Sequence, residues 1–160
     1  VYKRQTNGSS FHRVLWDDAE KGSSSTELAK DKNIRRVVMC SGKVYFDLLE
    51  ERDARGLNDI YLLRFEQFYP FPAMSALKEL ERFQNAEMVW CQEEPKNQGA
   101  WSFMEPNIEW VLSRMKAKFK RPIYVGRPAS ASPATGLASQ HKEQQKLLVE
   151  EALNLKENKK

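Results

Sequence analysis

Two adjacent carboxylates are the first residues in this sequence that could carry acid–base chemistry. Glu93 and Glu94 follow the apolar run AEMVWCQ (86–92) and precede a proline, two amides and Gly99. Two desolvated carboxylates that lie close together raise the pKa of one of them, as general acid–base catalysis requires. Neighbouring side chains rarely point the same way, however. We therefore favour a structural role, in which both carboxylates precede a helix, compensate its dipole and cap its free amides.

Three cations form a candidate anion site. Lys43 follows one predicted strand, Arg64 ends another and Arg127 follows a third, so one edge of a parallel sheet would hold all three. Arginine binds carboxylates and phosphates through two parallel hydrogen bonds. Ion pairs with nearby carboxylates are the alternative, and the candidates are Glu66, Glu93 and Glu94.

Standard catalytic and metal-binding patterns do not occur in the sequence. The two histidines, His12 and His141, are far apart, and His141 opens a charged helical pattern that favours a solvent-facing position. We find no HExxH motif, EF-hand loop, zinc spacing, GxGxxG or GxxxxGK[ST]. We therefore predict no catalytic residue and no metal site in this chain.

The composition is that of one ordinary globular domain. The 160 residues carry a net charge of +4, from 26 basic and 22 acidic side chains. Basic residues are interspersed with acids apart from KAKFKR (116–121) and KENKK (156–160), which does not predict a nucleic-acid surface. No apolar run approaches the roughly 20 residues of a membrane span. The start, VYKRQTNGSS, lacks the apolar stretch of a signal peptide, and Cys40 and Cys91 suit buried, reduced thiols.

Apolar strand patterns alternate with helical patterns along most of the chain. We predict strands at 11–16, 35–40, 60–65, 86–92 and 121–126, and helices at 43–56, 72–83, 107–116 and 141–153. The alternation predicts an α/β fold with three layers (αβα) and a mostly parallel, mixed sheet of about five strands. The Ser-rich stretch GSSSTE (22–27) separates a predicted N-terminal connecting segment, 1–30, from the α/β domain, 31–160.

Four loops follow the predicted strands at their carboxyl ends, and we call them the rim loops. They are CSGK (40–43), FEQFYPFP (65–72), QEEPKNQGAW (92–101) and GRPASASPATG (126–136). Ligands of such sheets usually bind at this edge. The rim loops are richer in aromatic, charged and turn residues than the connections at the other edge, so we predict a working surface here.

Aromatic side chains crowd two of the rim loops. FEQFYPFP has four aromatics and two prolines, which favours docking onto another domain or subunit over packing on its own sheet. Trp101 and Phe103 are expected to be exposed at the start of a helix. Large aromatics in such positions often bury in a partner. Core packing is the alternative for both.

These stretches resemble a known family. SGKVYFDLLEER, RFEQFYPFP, WCQEEPKNQGAW and GRPASASPATG, in this order, resemble the C-terminal region of the first, decarboxylating component of 2-oxoglutarate dehydrogenase, over about residues 8–153. The resemblance implies the transketolase C-terminal domain fold. It also implies a parent oxidoreductase of the tricarboxylic acid cycle that decarboxylates 2-oxoglutarate and passes the succinyl group to the lipoyl arm of a succinyltransferase.

The resemblance also implies which parts of the parent enzyme are elsewhere. Thiamine diphosphate and magnesium belong to preceding domains at a dimer interface, and their GDG…N motif does not occur here. This chain alone is therefore expected to bind neither and to be inactive. The implied partners are the other domains, a second parent subunit and the lipoyl succinyltransferase; nucleic acid and membrane are not expected.

Two sets of residues take roles from the resemblance. The expected dimer-interface set is Phe68, Tyr69, Glu93, Glu94, Asn97, Gln98, Gly99 and Trp101. Because actinobacterial relatives bind acetyl-CoA as an activator, the candidate anion or acetyl-CoA site is Arg13, Lys43, Arg64 and Arg127. The alternative function is thus a nucleotide- or acetyl-CoA-binding regulatory module without catalysis. The expected location is the bacterial cytoplasm, favoured over the mitochondrial matrix.

Overall fold

Five strands form one mixed sheet in the computed structural model, which describes residues 11–154. The strands are β1 (Val14–Leu15), β2 (Arg36–Cys40), β3 (Ile60–Phe65), β4 (Glu87–Pro95) and β5 (Ile123–Arg127), in the spatial order β1-β3-β2-β4-β5. The four strands β3, β2, β4 and β5 are parallel, and the short edge strand β1 runs antiparallel to β3. The prediction of a mostly parallel mixed sheet is confirmed.

Four α-helices cover the two faces of this sheet. They are α1 (Val44–Ala54), α2 (Ala73–Leu80), α3 (Trp101–Ser113) and α4 (Ala138–Ala152). Helices α2 and α3 pack with one apolar cluster, and α1 and α4 pack with another on the opposite face. The three-layer arrangement is confirmed.

The central strands carry continuous apolar runs because both of their faces are covered. Val37 and Met39 of β2 face α2 and α3, whereas Val38 and Cys40 face α1 and α4. All four side chains are buried. This explains why the sequence of β2 shows a continuous apolar run rather than alternation.

Helix α3 begins six residues before the predicted start at 107, so that boundary is wrong. Pro106 lies inside the helix, where a proline costs about 3 kcal/mol or more. Trp101 and Met104 lie in the added turns and extend the buried stripe that continues at Ile108. Burying two such large side chains contributes about 1.5–3 kcal/mol each, which offsets the proline.

Strand β4 continues three residues past its predicted end at 92 and includes both glutamates. The expectation that Glu93 and Glu94 cap the next helix is therefore wrong. Helix α3 follows Ala100, and no side chain caps its first amides. The carboxylates belong to the edge of the sheet instead.

Residues 11–30 pack onto the sheet and α1 through a buried ionic contact. Asp17 and Arg52 are both fully buried and pair with each other, and Asp17 Oδ2 also accepts a hydrogen bond from the backbone N–H of Leu62 at 2.7 Å. The predicted boundary at residue 30 stays a prediction. Residues 1–10, the stretch VYKRQTNGSS, lie outside the described residues, and so do residues 155–160, which include the basic tract KENKK.

Candidate functional site

The four rim loops meet at one edge of the sheet, as the parallel strands require. Loop 92–101 is tied to loop 126–136 through Ser130. The side chains of Asn97 and Gln98 each donate to the carbonyl oxygen of Ser130 at 2.9 Å, and Asn97 Oδ1 accepts from the Ser130 amide. These two amide side chains thus hold the two loops together.

A pocket of about 420 Å³ lies between rim loops 40–43, 65–72 and 92–101, and we call it the rim pocket. Four of its ten lining residues are aromatic. The rings come from Phe68 and Tyr69 of loop 65–72, from Trp90 of β4 and from Phe103 of α3. Gly42 and Glu94 complete two of its sides. The volume falls within the range of small-ligand sites.

A bulge in β4 shapes this edge of the sheet. Strands β4 and β5 pair regularly as far as Cys91 and Val125, and pairing resumes at Pro95 and Arg127. Residues 92–94 therefore lie opposite the single residue Gly126. Bulges of this kind bend a strand and turn its side chains in new directions.

Gly126 is required at this position because there is no room for a side chain. A Cβ atom there would lie 2.7 Å from the carbonyl oxygen of Gln92 and 2.4 Å from the hydroxyl of Tyr124. That hydroxyl donates to the carbonyl oxygen of Arg127 at 2.8 Å. Burial raises the pKa of Tyr124 to about 12, so it stays protonated and able to donate at neutral pH.

The side chain of Gln92 fixes the turn that follows the bulge, although Gln92 was not among the predicted site residues. Gln92 is buried, and its Oε1 accepts from Trp90 Nε1 at 2.9 Å. Its Nε2 donates to the carbonyl oxygen of Gln98 at 2.8 Å, with that of Pro95 at 3.2 Å. The sequence feature that indicates this role is a glutamine two residues after Trp90, on the same face of an apolar strand. A buried amide in such a position must find hydrogen-bond partners.

Glu93 and Glu94 point to different sides of the sheet, so they do not form a proton-sharing pair. Glu93 accepts a hydrogen bond from Lys43 Nζ at 2.6 Å, and this bond raises the pKa of Lys43. Glu94 instead lines the rim pocket. Gly99 has a φ of 64°, and a Cβ placed on it would lie 2.9 Å from Glu94 Cβ. Glycine is therefore needed where the turn passes Glu94.

The aromatic residues of the expected interface differ in exposure. Tyr69 is 84% exposed, and Phe68 is half-buried with its ring 6.0 Å from that of Trp90. Trp101 is only 6% exposed and packs against Tyr124, so the expected exposure of Trp101 is wrong. It belongs to the buried stripe of α3. The interface role of the whole set stays a prediction.

The structure does not gather the candidate cations into one site. Arg64 lies 2.8 Å from Glu66 and stacks over the Tyr45 ring, with 4.6 Å between guanidinium carbon and ring centroid. Strands β3 and β5 are three strand spacings apart, about 14 Å, which separates Arg64 from Arg127. Arg13 precedes β1, where its carbonyl accepts from the Glu66 amide at 2.9 Å.

Arg64 Nε and Arg127 Nε are both buried without a hydrogen bond among the described residues, but only Arg64 Nε lies against a carboxylate, 2.8 Å from Glu66 Oε1. The Arg127 side chain is buried, and its Nη2 lies 2.9 Å from His141 Nδ1. Arg127 lines a cavity of about 200 Å³ with Ser130, Thr135 and Gln144. Gln144 Oε1 likewise has no partner within residues 11–154.

Residues 11–154 offer no cluster of metal ligands and no reactive thiol. That range contains no group of three or more potential metal-ligating side chains, and none of its helices combines the length and apolarity needed to cross a membrane. Cys40 and Cys91 are free, buried neighbours on β2 and β4. Burial raises the pKa of Cys40 to about 12 and that of Cys91 well above its ordinary value, so both are protonated and poor nucleophiles.

Comparison with known proteins gives concordant matches. The family described as "2-oxoglutarate dehydrogenase C-terminal" matches residues 2–153. The chain is 62% identical over 146 residues to proteins named 2-oxoglutarate dehydrogenase E1 component from Brucella anthropi, Brucella ovis and Brucella abortus. The matched part is 91% of this chain, but it spans only 15% of the Brucella anthropi relative and 14% of the other two.

The family match covers nearly the whole chain, and it includes all four strands and all four helices that build the rim. The resemblance inferred from the rim loops is thereby confirmed. This chain belongs to the 2-oxoglutarate dehydrogenase C-terminal family.

Proposed function

We propose that this chain is the dimer-interface and regulatory domain at the C-terminal end of a 2-oxoglutarate dehydrogenase. The parent enzyme would decarboxylate 2-oxoglutarate and transfer the succinyl group to the lipoyl group of its succinyltransferase partner in the tricarboxylic acid cycle. The family match and the 62% identity to E1 components support this parentage. The rim pocket supports the domain's role in docking.

The rim pocket is unsuited to thiamine diphosphate, the cofactor that the family implies. Its wall is mainly apolar, with four aromatic side chains, and Glu94 is its one charged lining side chain among the described residues. A carboxylate repels a diphosphate instead of binding it. We therefore assign no step of the reaction to this domain, and we expect the 160-residue chain alone to show no turnover of 2-oxoglutarate when the cofactor is added.

The exposure of Tyr69 is the observation that carries the docking role. Its ring is 84% exposed on a stiff loop beside an apolar pocket, next to the half-buried Phe68 and the partly exposed Phe103. Contiguous exposed apolar surface of this kind marks protein interfaces in soluble proteins. Tyrosine, phenylalanine and tryptophan are also the side chains that interface cores favour.

The rim is also pre-shaped for docking. Gln92 ties the turn to β4, and Asn97 and Gln98 tie it to loop 126–136. A surface that is already ordered loses little conformational entropy when a partner binds. The bulge and its hydrogen bonds thus suit a role as a binding surface better than a role as a mobile catalytic loop.

Replacing Phe68 and Tyr69 with serine in the parent enzyme tests the docking role. We expect the dissociation constant of the dimer to rise at least tenfold, about 1.4 kcal/mol, because two rings lose their buried contacts. Sedimentation equilibrium measures this constant. Phe119→Ser is the matched control, since Phe119 lies at the opposite edge of the sheet before β5. A dimer as tight as that of the unmodified enzyme would refute the docking role.

A second candidate function, binding of acetyl-CoA or a nucleotide as a regulator, is favoured by one observation. Arg127 Nε and Gln144 Oε1 are both buried and both lack partners within residues 11–154. An anionic group in the adjacent cavity would give the guanidinium a partner. Calorimetry with acetyl-CoA should then show micromolar binding that Arg127→Gln removes, and no heat at millimolar ligand would count against this function.

A further inference from the structure

Glu94 is an exposed, unpaired charge at a pocket whose other lining residues are uncharged and include four aromatic side chains. The other rim carboxylates have partners: Glu93 pairs with Lys43 at 2.6 Å, and Glu66 lies 2.8 Å from Arg64. Within residues 11–154, the Glu94 carboxylate makes no ion pair or hydrogen bond of its own. Trp90 and Gln92, the pocket's other polar side chains on β4, bond to each other.

The backbone around Glu94 holds the side chain in this position. Its carbonyl oxygen lies 3.3 Å from Gln92 Nε2, which donates to it, and 3.2 Å from the Tyr124 hydroxyl. A Cβ added to Gly99 would lie 2.9 Å from Glu94 Cβ and 3.2 Å from its carboxyl carbon, so the glycine leaves the space that the Glu94 side chain uses. The backbone contacts thus fix where this exposed side chain leaves β4, beside the pocket.

The pairing of Glu94 matters because the pocket is a docking surface in the proposed function. An apolar segment that covered the pocket would remove the carboxylate from water. Burying an unpaired charge is strongly unfavourable, whereas a hydrogen-bonded partner of opposite charge recovers much of that cost. The segment that covers the rim pocket must therefore bring a cation to Glu94.

The aromatic wall indicates which kind of cation fits. Tyr69, Trp90 and Phe103 present rings around the pocket, and a guanidinium over such a ring gains cation–π attraction. Arginine also forms planar, bidentate bonds with a carboxylate and is more weakly hydrated than lysine. A pocket that combines rings with one carboxylate therefore suits arginine best and accepts lysine.

We propose that the rim pocket receives a basic side chain, preferably arginine, from the part of the parent polypeptide that lies outside this chain. This proposal rests on the proposed function. The chain spans only 14–15% of its relatives, and its family is a C-terminal one, so a large body is available to supply the occupant. Glu94 is the residue that selects it by charge.

Charge substitutions at Glu94 in the parent enzyme test the proposal. We expect Glu94→Gln to speed amide hydrogen exchange in loop 65–72 and at the start of α3 at least threefold, and Glu94→Lys at least tenfold, because a like charge would expel the basic occupant. Glu143→Lys is the control, with the same charge change on an exposed site of α4. Equal exchange in the Glu94→Lys and Glu143→Lys enzymes would overturn the proposal.

Photo-crosslinking identifies the occupant directly. Benzoylphenylalanine at position 69 of the parent enzyme should crosslink a peptide from outside this domain that contains arginine or lysine at or beside the linked residue. A link to a second copy of this domain, or to an outside segment without a basic residue, would refute the proposal. So would the absence of any crosslink.

The two proposals fail in different ways. If the rim does not dock at all, the Phe68 and Tyr69 substitutions leave the dimer unchanged and position 69 gives no crosslink. If the rim docks without the inferred ion pair, position 69 still crosslinks an outside segment, but the Glu94 substitutions have no more effect on exchange than Glu143→Lys.

Discussion

Single residues decide the shape of the rim, and Gly126 is the clearest case. Three residues of β4 bulge past it because the space that a side chain would occupy is filled by the Gln92 carbonyl and the Tyr124 hydroxyl. The sequence shows a glycine at the end of a predicted strand, but not the crowding that requires it. That requirement arises only when β4 and β5 are side by side.

Gly126→Ala should destabilise the chain by about 1–3 kcal/mol, because the new methyl group forces backbone or ring atoms to move in a packed region. Urea unfolding followed by circular dichroism measures the change. Gly136→Ala is the matched control: a Cβ there meets nothing within 4 Å, so we expect a change within about 0.5 kcal/mol. Equal effects of the two substitutions would show that the bulge tolerates a side chain.

The pairing of the charged residues at the rim could not be predicted from residue types alone. The sequence offered an anion site or ion pairs as alternatives for Lys43 and Arg64, and each of these cations lies against a carboxylate in the structure. Arg127 differs, since among the described residues its guanidinium lies against His141, 2.9 Å from Nη2 to Nδ1, and not against a carboxylate. Strand order decides these outcomes, because it determines which loops are adjacent.

At the scale of elements, helix α1 anchors the Ser-rich stretch. Asp53 near the end of α1 accepts hydrogen bonds from Ser24 Oγ at 2.7 Å, from Thr26 Oγ1 at 2.8 Å and from the Ser25 amide at 3.2 Å. Burial alone would raise the pKa of Asp53, but the bonds from Ser24 and Thr26 and the charge of Arg52 lower it overall. The stretch predicted as a loop is thus held by one carboxylate.

Asp53→Asn should lower the stability of the chain by about 1–2 kcal/mol at pH 7, because hydrogen bonds to a charged acceptor are lost. A lowered pKa in the folded state gives stability that is complete above the ordinary value of about 3.9 and is lost as the pH falls through the folded value. The difference between the two proteins should therefore shrink below about pH 4.

Urea unfolding at pH 7, 5 and 3.5 measures the pH dependence of Asp53→Asn. Glu50→Gln, an exposed position on the same helix, is the control and should change stability little at any of these pH values. A destabilisation by Asp53→Asn that is the same at pH 7 and pH 3.5 would contradict the assigned pKa direction.

Element types were predictable from the sequence, whereas some element boundaries were not. The run IYLLRF (60–65) is a strand with the predicted bounds, because β-branched and aromatic residues between turn signals are a strong local pattern. Helix α3 began earlier than predicted because burial of Trp101 and Met104 outweighs the local effect of Pro106. Boundaries fail where tertiary burial opposes local propensity.

At the scale of the whole molecule, the chain is a closed three-layer domain with one open, aromatic edge. Its core needs no partner, since both faces of the sheet are covered. Its rim exposes Tyr69 and leaves Glu94 without a partner in the described range. The predicted loss of dimer affinity on replacing Phe68 and Tyr69 belongs to this scale, because it concerns the proposed parent enzyme and not this chain alone.

The sequence by itself determined the fold class, the family and the presence of a working surface at the rim loops. The periodicity of apolar residues, the turn residues and the rim-loop motifs are local properties of the chain. Tertiary structure alone decided which carboxylate is paired, which aromatic is buried and why Gly126 and Gln92 are needed. Those outcomes depend on distances between segments far apart in the chain, which only the order of the strands sets.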